Sequence, residues 1–181
     1  DGNRVYDASH VPMFGSVALT GNPSGNQNVA ISPRPNNPDQ FYIFTNPATN
    51  LAPGNISFST VNMALPGNAA ASAPPLGGLI NPNSLGALPD GIQVNSGMLV
   101  FEVGNDPYFY FLLVQNAANG DYHLYSIGES SRVLVKTIPN PGSLVAANFA
   151  LHPQTGQVLD VYSSVIRLKV IPSSSALDSI L

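Results

Sequence analysis

The side chains that could do chemistry are few and lie far apart in this sequence. Ser24 lies in Gly21-Asn-Pro-Ser-Gly25, and this spacing differs from the sharp elbow on which hydrolases carry a nucleophilic serine. An ordinary Gly- and Pro-containing turn explains the segment better. The histidines are His10, His123 and His152, and none has a ligand-type residue two or four positions further on. We therefore predict no catalytic residue, no metal site and no cofactor.

Acidic residues give a second, weaker hypothesis. A pair of carboxylates in one cleft could hydrolyse a glycosidic bond. However, Glu102, Asp106, Asp121 and Glu129 all lie beside predicted turns, where acidic side chains mostly serve solubility and turn geometry. Asp1-Gly-Asn3 also lacks the later ligands of a calcium-binding loop. Glycoside hydrolysis therefore remains only an alternative.

Two further features could support contact rather than catalysis. Tyr108-Phe-Tyr-Phe111 could direct two rings, those of Tyr108 and Tyr110, toward a saccharide or a protein partner, although burial of the aromatic side chains is the favoured explanation. The absence of Trp lowers the case for a dedicated sugar platform. Asn55-Ile-Ser57 is a glycosylation sequon and would accept a glycan in a glycosylating secretory path.

The composition limits the classes of function. Hydrophobic residues form 44% of the 181, enough for a sizeable core, but only 9% are charged, against roughly 25% in an ordinary soluble domain. The segment from Gln40 to Pro89 carries no charge. With a net charge of -4 and six scattered Lys and Arg residues, the sequence offers no basic stripe for nucleic acid. No apolar run is long enough for a membrane-spanning helix, so we expect no membrane insertion, and the absence of Cys excludes disulfides and thiolate zinc sites.

The elements that would position these residues are short strands. Gly and Pro, 16 and 17 residues respectively, interrupt most windows that could hold a helix. Runs rich in β-branched and aromatic residues predict strands at Phe41–Thr45, Ile56–Met63, Met98–Val103, Tyr108–Gln115, Tyr122–Ile127, Val133–Ile138, Val158–Ser163 and Val165–Ile171. Turns at Gly104–Pro107 and Asn119–Asp121 predict an antiparallel meander of three strands, to which Val133–Ile138 adds a fourth. The segment Tyr108–Val114 is apolar on both faces, which is typical of a central strand.

The rest of the chain divides into one domain and a tail. We expect a single all-β domain over residues 1–172, with a long Ala-, Pro-, Gly- and Asn-rich loop at about 64–95 and a tail or linker at 173–181. Asp1-Gly-Asn3 resembles a hairpin turn, so Arg4–Asp7 is expected to be a strand whose preceding partner is missing. Such an edge favours addition of a strand from a neighbour.

A weak internal echo favours a blade-like architecture. Ile31-Ser-Pro33 followed by Phe41–Phe44 is similar to Leu151-His-Pro153 followed by Val158–Tyr162. Together with the four-strand meander, this predicts antiparallel meanders in a β-propeller-like arrangement that is partial or a fragment, with a β-sandwich or jelly roll as the alternative.

The N-terminal third resembles a known family. Asp1–Asp7, His10, Met13, Gly21–Ile31, Pro33, Pro35, Asn37-Pro38, Phe41–Thr45 and Phe58–Met63 are similar in type and order to the propeller-like N-terminal region of surface and gliding-motility-associated proteins of Bacteroidetes. The resemblance covers about the first 65 residues moderately and the rest loosely. It implies a propeller-like fold and secretion to the cell surface, and it brings no catalytic residues.

These observations favour contact over catalysis. The leading expectation is a non-enzymatic module of the cell surface or an extracellular assembly, with structural, adhesive or assembly roles and with protein partners or copies of itself. A virion subunit and a carbohydrate-binding or hydrolytic domain are the alternatives.

Overall fold

The computed structural model describes residues 3–23, 27–49, 52–84, 86–102, 110–139, 150–151 and 158–160, and these form an antiparallel all-β structure. Its strands are β1 (Val29–Arg34), β2 (Asn37–Thr45), β3 (Ser57–Asn62), β4 (Gly78–Ser84), β5 (Val94–Glu102), β6 (Tyr110–Asn116), β7 (Tyr122–Ile127), β8 (Arg132–Ile138), β9 (Ala150–Leu151) and β10 (Val158–Asp160). No described residue lies in a helix. The predicted all-β class is therefore confirmed.

The first sheet has the order β1-β2-β3-β4, with every neighbouring pair antiparallel. Pro35 and Asn36 make the turn between β1 and β2, and Asn36 adopts a left-handed φ of 61°, a conformation that asparagine tolerates better than most residues. The predicted strands Phe41–Thr45 and Ile56–Met63 are confirmed as the central strands β2 and β3, although β2 begins four residues earlier, at Asn37.

The second sheet repeats the pattern in the order β5-β6-β7-β8. Here the predicted meander is confirmed, since β6 pairs with β5 and β7, and β8 adds the fourth strand. The Asn119-Gly120 turn closes with two backbone hydrogen bonds, and Gly120 takes a φ of 79°, which suits glycine. The other predicted turn, Gly104–Pro107, lies outside the described residues, as do Tyr108, Phe109 and Val103.

The two sheets share a core. Apolar side chains of both sheets and of the segments beside them meet in one buried cluster: Ala30, Tyr42, Phe44, Ile56, Ala87, Leu88, Val94, Met98, Leu112, Val114, Tyr125 and Ile127. Fully burying one large apolar side chain contributes about 1.5–3 kcal/mol, so this cluster is a main source of stability. The first strands of the two sheets also lie side by side, because the Met98 backbone N–H donates to the Gln27 carbonyl at 3.1 Å.

The opposite face of the first sheet is covered by the N-terminal segment. Met13 and Leu19 are buried against Ile43, Val61 and Leu79. The Leu79 N–H also donates to the Phe14 carbonyl at 2.8 Å, which gives β4 a short parallel neighbour. Both faces of the first sheet are therefore packed.

The expected strand at Arg4–Asp7 is wrong. Only an isolated bridge forms there, between Tyr6 and Pro12. The reason is local: the Asp7 carboxylate accepts hydrogen bonds from the backbone N–H groups of Ser9 and Val11 at 2.8 and 3.2 Å, which turns the chain sharply back. The backbone partner of this segment is thus the chain that follows it.

The expected loop at 64–95 is also wrong in part, because it contains β4 and the start of β5. Leu79 is buried opposite Val61, and the Asn83 N–H donates to the Ser59 hydroxyl at 3.0 Å. Burial and pairing with β3 therefore give strand structure to a sequence whose Pro and Asn content indicated a loop. The two pairs of residues in β9 and β10 form a small antiparallel hairpin, which confirms the start of the predicted strand at Val158. The predicted strand Val165–Ile171 and the tail at 173–181 lie outside the described residues.

Candidate functional site

Of the two tyrosines predicted as contact residues, the structure describes Tyr110. Tyr110 begins β6, is half-buried and packs against the core between the sheets. Its neighbour Phe111 points the other way and is buried in a second apolar cluster with Leu113 and Leu124. Tyr108 lies outside the described residues. The part of this segment that the structure describes is therefore mainly core, and Tyr110 keeps only partial exposure.

The predicted glycosylation residue is accessible. Asn55 is exposed and lies two residues before β3, whereas Ser57, which completes the sequon, is buried as the first residue of that strand. The Asn55 side chain is therefore on the surface, next to Gly54, which packs closely against Asn46, Pro47 and Ala48.

The remaining side chains from the sequence analysis stay apart. His10 is exposed in the N-terminal turn, and Glu102, Asp121 and Glu129 lie at the end of β5 or in turns. Ser24, Asp106 and His152 lie outside the described residues. Within the described part of the chain, no three His, Cys, Asp or Glu side chains come close enough to hold a metal ion.

One polar cluster does form, and it joins residues that are distant in the sequence. The hydroxyl of Tyr125 donates to the carboxylate of Asp90, with oxygen–oxygen distances of 2.8 and 2.7 Å. Nδ1 of His123 lies 3.2 Å from the same carboxylate and 3.2 Å from the Tyr125 hydroxyl. His123 and Tyr125 are two residues apart in β7, so both point to the core side of the second sheet.

This Asp90–His123–Tyr125 cluster holds the segment that links the two sheets. Ala87 and Leu88 of that segment are buried in the shared core, and the Asp90 carboxylate attaches its end to β7. Burial, followed by the hydrogen bond and the charge of Asp90, raises the pKa of Tyr125 well above its ordinary value. The phenol therefore stays protonated and serves as a hydrogen-bond donor, and the cluster is suited to positioning the linking segment.

The members of this cluster give no local signal in the sequence, so it could not be predicted. A metal-ligand spacing of two or four residues does not apply to His123, whose actual neighbours are a tyrosine in the same strand and an aspartate 33 residues away. The alternation of side chains in β7 was the one available clue, since it places His123 and Tyr125 on one face.

A different feature lies on the outer edge of the second sheet. β8 pairs with β7 on one side, and no described residue pairs with its other side. Three consecutive apolar residues of this edge strand are exposed: Val133 by 55%, Leu134 by 37% and Val135 by 44%. We call these three residues the β8 apolar edge. Exposed apolar edge strands are sites at which another strand can add.

The comparisons with known proteins leave the chain without an assigned relative. No protein-family model, no curated protein and no solved structure matches it. Within the described ranges, no helix has the length and apolar character needed to cross a membrane. The family resemblance, the location and the function therefore stay predictions.

Proposed function

We propose that this chain is a non-enzymatic, propeller-like β module of a cell-surface or extracellular assembly, and that it joins a partner protein by accepting a strand on β8. The observation that carries the proposal is the β8 apolar edge. Three exposed apolar side chains in a row on an edge strand are unfavourable in a protein that works alone. A partner strand would cover them and would bind the backbone groups on the side of β8 that no described strand pairs with.

The arrangement of the strands supports the propeller-like part of the proposal. Each sheet is a four-stranded meander in sequence order, the sheets pack face to face, and their first strands are adjacent. Neighbouring propeller blades have these properties. The β9–β10 hairpin comes from the segment that resembles β1 and β2 in sequence, so it corresponds to the start of a third meander.

The charges beside the β8 apolar edge favour a partner protein over a second copy of this chain. If two copies paired in antiparallel fashion with Leu134 opposite Leu134, Val133 of each copy would lie opposite Val135 of the other. The same register would set Arg132 of each copy opposite Lys136 of the other. Like charges at directly opposed positions destabilise a strand pair. We therefore propose an extended segment with an apolar centre, carried by a different protein, as the occupant.

The virion and carbohydrate alternatives have less support. Both depend on composition, and the second also on Tyr108 and Tyr110, of which Tyr110 is half-buried against the core. No feature of the described residues favours either over a protein contact.

Strand addition can be tested with a synthetic peptide. The probe is a short fluorescent peptide of alternating Val and Thr with an Asp at each end, and fluorescence polarisation measures its binding to the full chain. We expect saturable binding to the wild type, and loss of binding in Val135→Lys. The matched control is Val17→Lys, because Val17 is exposed by 45% and Val135 by 44%.

A second peptide distinguishes strand pairing from non-specific binding. It has the same sequence but carries N-methyl groups on alternate residues, which removes the donors that a strand ladder needs. Equal binding of the two peptides, or equal binding to the two lysine variants, would contradict the proposal.

A further inference from the structure

Two arginines converge on one tyrosine ring at the rim of the contact between the sheets. The guanidinium carbons of Arg34, in β1, and Arg132, in β8, each lie 5.8 Å from the centre of the Tyr42 ring. Arg132 also stacks on Phe58, with its guanidinium carbon 4.1 Å from the ring centre. The two guanidinium groups therefore come from different sheets and lie against the same ring, where the β1–β2 and β7–β8 turns approach each other.

Neutral acceptors hold these side chains in position. Nε of Arg132 donates to the Ala87 carbonyl at 3.1 Å. Nε of Arg34 donates to the Glu129 carbonyl at 2.9 Å, and one of its terminal nitrogens donates to the side-chain oxygen of Gln40. The Tyr42 hydroxyl donates to the same Glu129 carbonyl. Every one of these acceptors is uncharged, so none of these hydrogen bonds compensates the positive charge.

A carboxylate is close by but does not pair with either arginine. The carboxylate of Asp90 lies 3.2 Å from Nδ1 of His123 and contacts neither arginine. The carboxylate of Glu129 instead accepts a hydrogen bond from the Asn37 side chain at 3.2 Å. Both terminal nitrogens of Arg132 and one of Arg34 consequently have no hydrogen-bond partner in the part of the chain described.

An uncompensated, half-buried cation is costly. Burial lowers the pKa of Arg132, since removal of water disfavours the charged form. Buried charges in proteins are normally paired, and a planar guanidinium matches the oxygens of carboxylate and phosphate groups with two parallel hydrogen bonds.

We propose that Arg34 and Arg132 form an oxyanion-binding site, which takes a ligand group carrying two or more oxygens on one atom. Carboxylate, sulfate and phosphate groups share this chemistry. The terminal nitrogens of Arg132 bind the oxygens, Arg34 adds a donor from the other sheet, and the aromatic rings of Tyr42 and Phe58 hold the guanidinium groups in place. Arg132 directly precedes the β8 apolar edge in β8, but the ligand of this site binds at the rim between the sheets, on the side of Arg34, Tyr42 and Phe58.

The test measures the melting temperature of the full chain against concentration for sodium phosphate, sulfate and acetate, with sodium chloride at matched ionic strength. We expect a saturable rise with at least one oxyanion and not with chloride, and the anion that acts identifies the class of ligand. Arg132→Lys keeps the positive charge but removes the two parallel hydrogen-bond donors of the guanidinium group. It should therefore weaken binding of the anion by about tenfold or more.

Two further variants protect the test against loss of folding. Arg34→Gln changes the arginine that does not hold the linking segment, and it should also weaken binding. Arg4→Gln is the control, because Arg4 is exposed and far from this rim in the sequence. In NMR spectra, the Nε–H signal of Arg132 should shift with added anion while that of Arg4 stays in place.

An equal response to chloride, or unchanged binding in both Arg132→Lys and Arg34→Gln, would overturn the proposal. Peptide binding at the β8 apolar edge should survive Arg34→Gln, so the two proposals can fail separately.

Discussion

Replacing Tyr125 by phenylalanine tests how the two sheets are held together. The ring is fully buried, so the substitution keeps the packing and removes only the hydroxyl that donates to Asp90. A hydrogen bond to a charged group contributes about 1.5–3 kcal/mol. The Asp90 side chain is 27% exposed, and water can partly replace the lost donor. We therefore expect the free energy of unfolding at pH 7 to fall by about 1–2 kcal/mol.

The pH dependence of stability provides a second, independent signal. The pKa of Tyr125 is raised from 10.0 in the folded protein, so the folded state keeps its proton where the unfolded state loses it. The stabilisation is complete below pH 10 and is lost as the pH rises above it, by up to about 1.4 kcal/mol per pH unit. The Tyr125→Phe variant lacks this loss. The difference in stability between wild type and variant should therefore shrink above pH 10 and then reverse.

Urea unfolding followed by circular dichroism, from pH 7 to 11, measures both effects. Tyr6→Phe is the control at pH 7, since the Tyr6 ring is 51% exposed and its change should stay within about 0.5 kcal/mol. Equal stability of Tyr125→Phe and wild type at pH 7, together with parallel curves above pH 10, would refute the assignment of Asp90 as the partner that attaches the linking segment.

Five further substitutions test the packing and the N-terminal segment. Leu112→Ala in the shared core should cost about 2–5 kcal/mol in urea unfolding, whereas Val133→Ala on the β8 apolar edge should cost less than about 0.5 kcal/mol. Gly15→Ala should cost about 2–5 kcal/mol, because φ is +74° and a Cβ would lie 2.5 Å from a backbone carbonyl oxygen; Gly86→Ala, with φ of +73° and open space, should cost about 1–2 kcal/mol. A side-chain amide hydrogen bond is the main cause of the lowered pKa of Asp7, so its stabilisation is present above pH 3.8 and is lost as the pH falls below that value. When stability is measured as the pH is lowered, Asp7→Asn should lack this loss of stabilisation.

Local signals in the sequence were sufficient for the second sheet. The Asn119-Gly120 turn fixes the β6–β7 hairpin because these two residues accept the required backbone conformation at low cost. Apolar residues on both faces of β6 predicted a central strand, and the structure buries Leu112 and Val114 on one face and Phe111 and Leu113 on the other. Where the turn residues and the apolar pattern of a strand lie within ten residues of each other and indicate the same structure, the strand and its position could be predicted.

The first sheet and the polar cluster depend on contacts that no local pattern contains. β4 has two apolar residues, Leu79 and Ile80, followed by Asn and Pro, and its strand structure comes from pairing with β3. The Asp90 carboxylate meets Tyr125 across 35 residues. Spacing rules of two or four residues cannot find such a pair, because only the tertiary arrangement of the two sheets places the linking segment against β7.

The placement of charge adds a different kind of evidence about function. In a chain with so few charged residues, the described part contains four Lys and Arg side chains, namely Arg4, Arg34, Arg132 and Lys136. Two of the four converge on the ring of Tyr42, although their mutual repulsion and partial burial oppose this arrangement. Stacking on Tyr42 and Phe58 recovers part of that cost, and bonds to neutral carbonyls recover another part. Neither supplies a negative charge, and an oxyanion would. The chemistry of this chain is therefore more readily found from the position of its rare charges than from any catalytic motif.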